Sequence, residues 1–421
     1  MHNILPETAR IPGLLALALG IAVASPGAGA DTLEAAIKGG KVSGNIRLRH
    51  ESVSDDAAPR DARAMTVRTR LGYETAAFKG FSLIGEFEDV RTVLGVDDYA
   101  PEKTGYAVIA DPAGTELNRA YLRYQGIPGL DLGYGRQRIN YDNQRFIGAV
   151  GWRQNDQTFD GFTAVYTGIP KLVVNYAHVT QVNGITDAFD SKRIRDNLLH
   201  VSYSGFSLGK LSAYAFLLDH RDETDPAVNA GLRFHGNDTL GVRFDGAWTV
   251  PEGGGLKVLY AAEYARQKFE NTARTERYEA DYRFLEAGVS VPFKGAALTA
   301  KLSREVLGSD GGDYGFQTPF ATKHAFNGWA DKFLITPAAG LRDDYLTLGL
   351  GLPSLDVNLL AAWHRYDADS GSGGFGSEWN LQAVKVFSPT YTIGIKYSAY
   401  GGRDLPYRDT DKLWVWGEVN F

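Results

Sequence analysis

Six arginines are spaced so that pairs of them can share one surface: Arg47 with Arg49, Arg68 with Arg70, and Arg119 with Arg123. A guanidinium is a planar fork of donors that pairs bidentately with a carboxylate or a phosphate. Several of them on one wall attract and sort anions, which is selection chemistry rather than bond-breaking chemistry. Arg136, Arg138, Arg145 and Arg153 continue the series in the polar segment that follows, and Arg243, Lys257, Lys301 and Lys396 extend it along the chain. Three carboxylates, Glu74, Glu86 and Glu88, belong to the same faces and offer a different reading. Cross-strand ion pairs with Arg68, Arg70 and Arg123 would stiffen a wall and select nothing. Set against six arginines, those three carboxylates leave positive charge in excess, so the expected pathway prefers anions.

For this chemistry the arginines must leave one face of a strand while apolar residues leave the other. The sequence has that alternation. Val42, Gly44, Ile46 and Leu48 interleave with Ser43, Asn45, Arg47 and Arg49. Met65, Val67, Thr69, Leu71 and Tyr73 interleave with Thr66, Arg68, Arg70, Gly72 and Glu74, and Leu240, Val242, Phe244 and Trp248 do the same around Arg243. Side chains two residues apart share a strand face.

The connections decide between a soluble sandwich and a barrel turned inside out. Eight are only a few residues long, such as Phe78-Lys79-Gly80-Phe81 and Phe293-Lys294-Gly295-Ala296. Nine are longer and polar, among them 93–116, 139–158 and 306–341. Short and long alternate throughout, which predicts 18 strands in up-and-down order. Each strand with its connection takes about 22 residues, enough for the roughly 9–11 that cross a bilayer at a tilt. The expected fold class is all-β: a transmembrane antiparallel β-barrel with short periplasmic turns and long extracellular loops. Apolar residues then face lipid and the arginines face the lumen, because a charge on the lipid side at midplane costs about 2–4 kcal/mol. Arg136 and Arg138 have the lipid-side parity of Leu132 and Tyr134, so an inward role for them needs a bulge at Gly133 or Gly135, or a strand end there. Loop 139–158 is expected to fold inward and constrict the lumen. Loop 306–341 carries Phe316, Phe320, Phe326, Trp329 and Phe333 and either plugs the barrel mouth or packs as a small satellite core.

Composition agrees. The 421 residues include 49 Gly, 16 Pro and no Cys, with a mean hydropathy of −0.24. Zero Cys removes disulfides, thiolate zinc sites, Fe–S clusters and covalent haem attachment. A formal net charge of −6 gives no bulk basic charge for nucleic acid. The first thirty residues read as an address: an apolar run from Ile11 to Val23 behind Arg10, then Ala28-Gly29-Ala30 as a small-residue cleavage site. Cleavage after Ala30 would leave 31–421 as one barrel domain. At the far end Leu413, Val415, Gly417, Val419 and Phe421 share a face. That terminal aromatic resembles the signal read by the outer-membrane assembly machinery. Tyr73, Tyr124, Tyr134, Tyr203, Trp248, Tyr260, Trp363, Trp379 and Tyr391 lie near strand ends, where interfacial girdles form.

Two loop segments resemble the alginate export family of outer-membrane barrels. They are Gly135–Phe146 continuing through Gly151–Asp160, and Gly315–Phe333. The strand pattern extends the likeness over nearly all of 31–421. The resemblance implies an 18-strand monomeric channel, with alginate secretion as the function of the founding member. That exporter carries a long periplasmic turn that gates its pore, whereas all eight short connections here are a few residues. The difference favours passive diffusion of small anionic or carbohydrate solutes over dedicated export of an anionic polysaccharide. A barrel that serves as sheath or anchor for a partner protein is the remaining reading.

Other motifs fail on context. Gly371, Gly373 and Gly376 fit a nucleotide-loop spacing, but no helix follows. Asp367, Asp369 and Gly371 lack the bidentate Glu of a calcium loop. The acidic Asp219, Asp222, Glu223 and Asp225 read as a solvated loop. His200 and Ser202 share a strand face without an identifiable acid or oxyanion partner. Neither an enzyme nor a resident cofactor or metal is expected, and the expected partners are outer-membrane lipid, the assembly machinery and a small solute.

Overall fold

The computed structural model describes residues 29–186, 190–220, 236–270, 276–403 and 406–421. Most of the segment expected to be a leader, and Asp222, Glu223 and Asp225, lie outside the described residues. One short helix, α1 (Leu33–Lys38), capped by Thr32, precedes the strands. The first half of the wall is β1 (Lys41–Asp55), β2 (Ala62–Glu74), β3 (Phe81–Asp98), β4 (Gly114–Ile127), β5 (Leu130–Gln137), β6 (Thr158–Tyr166), β7 (Leu172–Asn183), β8 (Ser191–Phe206) and β9 (Gly209–Leu217). It continues with β10 (Asn237–Thr249), β11 (Lys257–Glu270), β12 (Arg277–Phe293) and β13 (Ala296–Leu307). A two-rung ladder of β14 (Ser309–Asp310) with β15 (Tyr314–Gly315) interrupts the wall inside a long loop. The wall then resumes with β16 (Leu341–Leu352), β17 (Val357–Asp367), β18 (Gly374–Val386), β19 (Tyr391–Gly402) and β20 (Thr410–Asn420).

Each wall strand pairs antiparallel with its sequence neighbours, and β1 pairs with β20 from Asn45↔Asn420 to Asp55↔Thr410. The result is a closed 18-strand barrel, as the alternation of short and long connections predicts. Closure leaves no sheet edge unpaired, which hydrocarbon would not tolerate. The short turns are built from residues that accept positive φ: Lys79 and Gly80 sit at +50° and +84°, Lys294 and Gly295 at +46° and +79°. Those are the angles of a tight hairpin turn that matches strand twist. All eight connections at this end, each within the described residues, stay short, so none of them is a long gating turn.

The wall is inverted relative to a soluble protein. On β1, Leu48 is 45% exposed while its neighbours Arg47 and Arg49 are 5% and 1% exposed. Leu71, Phe87, Leu285 and Leu302 make an outward apolar band, with Tyr134, Trp248, Trp379 and Tyr391 also outward. The interior is divided. From β1 to β5 the inner wall is charged, whereas from β7 to β13 it carries Ala177, Val179, Tyr214, Phe216, Ala265, Tyr282 and Phe284. Loops 139–158 and 306–341 both turn inward and pack on that apolar arc through Ile139, Tyr141, Phe146, Ile147, Phe316, Phe320 and Phe333. Burying these aromatics inside is what holds long polar loops in a defined path.

Candidate functional site

The charged arc is a ladder of guanidiniums with loop 139–158 laid across it. Arg47 donates from Nε to Gln154 Oε1 at 2.9 Å and from Nη1 and Nη2 to the Gly151 and Trp152 carbonyls. Arg49 donates to the Trp152 carbonyl at 2.6 Å, pairs with Asp111 and lies 3.6 Å from Glu51. Arg68 donates to Asn45 Oδ1 at 2.6 Å and lies 3.6 Å from Glu418. Arg70 is held by Glu88 and Asp156. Arg119 pairs with Glu86, and Arg123 pairs with Asp131 and lies 3.6 Å from the half-exposed Glu74. Arg138 reaches both Glu86 and Asp156.

This arrangement corrects the charge count made from the sequence. Six arginines do not face three carboxylates: Glu51, Asp111, Asp131, Asp156 and Glu418 stand among them as well. Eight carboxylates thus stand against those six arginines, and only with Arg138 and Arg153 counted does the arc reach neutrality, so no positive excess remains on it. Asp156 is the hub. Burial alone would raise its carboxyl, but Arg70, Arg138 and Arg68 bring it well below the usual carboxylate range. Accessibility then separates the arginines. Arg49 is sealed at 1%, while the side chains of Arg119, Arg123 and Arg138 keep 23%, 24% and 21% exposure.

Arg136 needs a second correction. In the β5–β6 register Arg136 opposes Asp160 as Tyr134 opposes Phe162, which puts Arg136 on the outward face. It pairs there with Asp160 at 2.8 Å and donates to the Leu117 carbonyl. Sharing its charge with Asp160 near a strand end is how this face tolerates it. Arg138 follows the end of β5 and turns inward instead.

The remaining predicted cations scatter around the interior. Arg145 pairs with Glu305 at 2.6 Å and donates to Asn327, so it belongs to the contact between the loops and the wall. Arg153 pairs with Glu51 and, at 2.8 Å, with Asp331 of the second loop. Arg243 pairs with Glu263 and Asp245, and Lys301 with Glu286. Lys257 is half-buried at the short-turn end of β11, opposite Ser290. Lys396 lies 3.7 Å from the Trp329 ring centroid and 4.3 Å from that of Trp152, and donates to His324 Nε2 at 2.9 Å. His324 stacks on Trp152 and bonds Asp331 through Nδ1 at 2.7 Å. Burial and the Lys396 charge hold His324 well below the ordinary histidine range despite Asp331. His200 is engaged by Asp142 at 2.7 Å and by Asn175 at 3.2 Å, so both ring nitrogens are occupied and Ser202 gains no base from it.

A family model described as alginate export matches residues 42–322, more than half of the chain. The chain belongs to the alginate export family. No curated protein matches this family member by sequence. Solved structures share its architecture. OccAB1 of Acinetobacter baumannii aligns with a TM-score of 0.67 at 10% identity, over 92% of this chain and 98% of that one. OccD3 (OpdP) of Pseudomonas aeruginosa gives 0.64 at 13% identity, over 93% and 94%. OpdK of Pseudomonas aeruginosa, crystallised with vanillate, gives 0.66 at 12% identity, over 91% and 99%. At such identities the likeness carries the fold. This alginate export family member is an integral outer-membrane β-barrel with a transport architecture.

Proposed function

We propose that this barrel is a passive-diffusion channel for small polar solutes, with a preference for anionic or saccharide-type ones. The observation that supports this reading is the exposure of Arg119, Arg123 and Arg138, which, although paired with Glu86, Asp131 and Asp156, stay more open than Arg47, Arg49, Arg68 and Arg70 beside them. Exposed guanidiniums in a narrow, low-dielectric lumen attract carboxylates and hydrogen-bond sugar hydroxyls. One barrel of the same architecture was crystallised with vanillate, a small carboxylate. The eight short turns at the periplasmic end speak against a gated polysaccharide exporter. The working form is a monomer in lipid, exported with its leader removed after Ala30 and inserted by the barrel assembly machinery through β20 and Phe421. It does no chemistry on its solute. Reversal potential across a salt gradient in planar bilayers tests the proposal. An anion-preferring channel is expected, and a cation-selective one would overturn it.

A further inference from the structure

The outward face of the barrel carries a charged band along one strand register that solute passage does not use. Strand register places it. Arg304, Asp344, Arg365, Ser377 and Gly401 oppose one another in sequence across β13, β16, β17, β18 and β19. Two residues toward the short turns, the same register aligns Leu302, Leu346, Trp363, Trp379 and Ala399. Two residues of strand rise about 6.7 Å. Arginines therefore begin one step outside a row of Leu and Trp, on the side of the long loops, where bilayer hydrocarbon gives way to headgroups.

Within this band lies a groove of about 530 Å³. Ser377 and the bare backbone of Gly376, Gly401 and Gly402 line it, with Arg365 and Arg403, the carboxylate of Asp367, and Trp363 toward the apolar row. Arg365 is 57% exposed, with its Nε 3.2 Å from Asp367. Asp367 also holds Arg342, and Asp344 holds Arg304. The carboxylates thus fix the arginine stems at the rim. Arg283, Arg304, Arg342, Arg365 and Arg403 stand among Asp344, Asp367 and Asp369, with Asp409 at Gly402 and Asp411 opposite Ala399, so the band is mixed in charge. The cations that line the groove itself, and so can meet an anionic headgroup, are Arg365 and Arg403.

We infer that this groove is a lipid-binding site for the phosphorylated glycolipid of the outer leaflet. A headgroup phosphate would sit between Arg365 and Arg403, where two planar forks can each donate paired hydrogen bonds. The sugar would lie over Ser377 and Gly401, and the acyl chains would run down past Trp363 and Trp379. Basic pockets at this depth of a membrane protein recognise lipid headgroups by the same physics.

The test uses the purified full-length barrel in detergent, with rough-type lipopolysaccharide added and bound lipid counted by native mass spectrometry. Wild type should retain the phosphorylated glycolipid. The double variant R365S/R403S should bind it at least roughly tenfold more weakly, two charge-assisted contacts being lost. Arg91→Ser, on the outward face of β3 and away from the groove, should bind as wild type does. Enzymatically dephosphorylated lipid should bind wild type as weakly as phosphorylated lipid binds the double variant. Should R365S/R403S fail to give a heat-modifiable barrel, Ser377→Trp fills the groove while keeping both arginines, and it should show the same loss. Equal retention by variant and wild type, or binding indifferent to the phosphate, would overturn the site. Displacement of the lipid by millimolar inorganic phosphate alone would also overturn it, because the groove would then be a free-anion site.

Discussion

Arg153 and Asp331 meet at 2.8 Å although they lie 178 residues apart, one in each of the loops that turn into the barrel. The pair is nearly sealed, and Lys412 of β20 joins it from the wall at 2.8 Å. Two loops and the closing strand are thus tied at one carboxylate. Burial would raise that carboxyl, but His324, Lys412 and Arg153 hold it well below the usual range.

Removing the tie should loosen the interior. Asp331→Ala leaves Lys412 and His324 without their carboxylate and Arg153 with only Glu51 and Asp111 as counter-charges. Breaking a buried pair from one side costs about 3–5 kcal/mol. The expected outcome is faster amide exchange across 316–333 and a larger, noisier unit conductance, with the barrel still heat-modifiable. Unchanged exchange and conductance would mean that the aromatic packing of the loops holds them without this carboxylate.

Acid should act at the same place. His324 accepts from Lys396 at Nε2 and donates to Asp331 at Nδ1, so the folded form needs the neutral ring. Its depressed pKa means that the unfolded loop binds a proton more readily than the folded one. Loop stability is then fully present above the ordinary histidine pKa of about 6.5 and declines as pH falls below it. Exchange protection of 316–333 at pH 5.5, corrected for intrinsic rates, should be lower than at pH 7.5. His324→Phe keeps a ring to stack on Trp152 and should flatten that dependence. Equal protection of wild type at both pH values would refute the role.

How much of this was legible in the sequence depended on whether a residue lay on a strand. Period two fixes a face, so Arg47, Arg49, Arg68 and Arg70 could be placed inward from parity alone. Glu51, Asp131 and Glu418 obey the same parity, so the sequence also carries them as counter-charges on the inner face. Asp111 and Asp156 could not be placed this way, because nothing in a loop's composition tells which guanidinium its carboxylate will meet. Arg136 shows the limit from the other side. Its outward parity was visible, yet only the register with Asp160 shows how the charge is tolerated there. The lipid-side groove was invisible because it depends on three strands bringing Arg365, Ser377 and Gly401 into one register row.

Selectivity should follow exposure rather than the number of arginines. Arg119, Arg123 and Arg138 are reachable from the lumen, whereas Arg68 lies beneath loop 139–158 with Asn45 and Glu418. Replacing the three exposed ones by Gln should move the reversal potential toward cation preference by several millivolts without unfolding the barrel. Arg68→Gln should leave the reversal potential in place and instead lower stability by about 1–3 kcal/mol, the cost of orphaned buried partners. The opposite assignment of effects would show that solute travels along the buried ladder.

The seam of the barrel offers the last prediction. Gly44 of β1 and Phe421 exchange backbone hydrogen bonds, Gly44 N–H to the Phe421 carbonyl at 2.7 Å and Phe421 N–H to the Gly44 carbonyl at 3.0 Å. The Phe421 ring lies directly over Gly44: a Cβ there would come within 2.1 Å of the ring. Glycine is needed at that point because the aromatic occupies the space a side chain would take. Gly44→Val should expel the ring and lower closure both in cells and on refolding into liposomes. Phe421→Ala keeps the backbone bonds and removes only the ring. It should refold into liposomes with normal heat-modifiable mobility, yet reach the outer membrane poorly in cells if the ring is what the assembly machinery reads. Poor refolding in liposomes would assign the ring to seam stability instead. Normal insertion of Phe421→Ala in cells would remove it from assembly altogether.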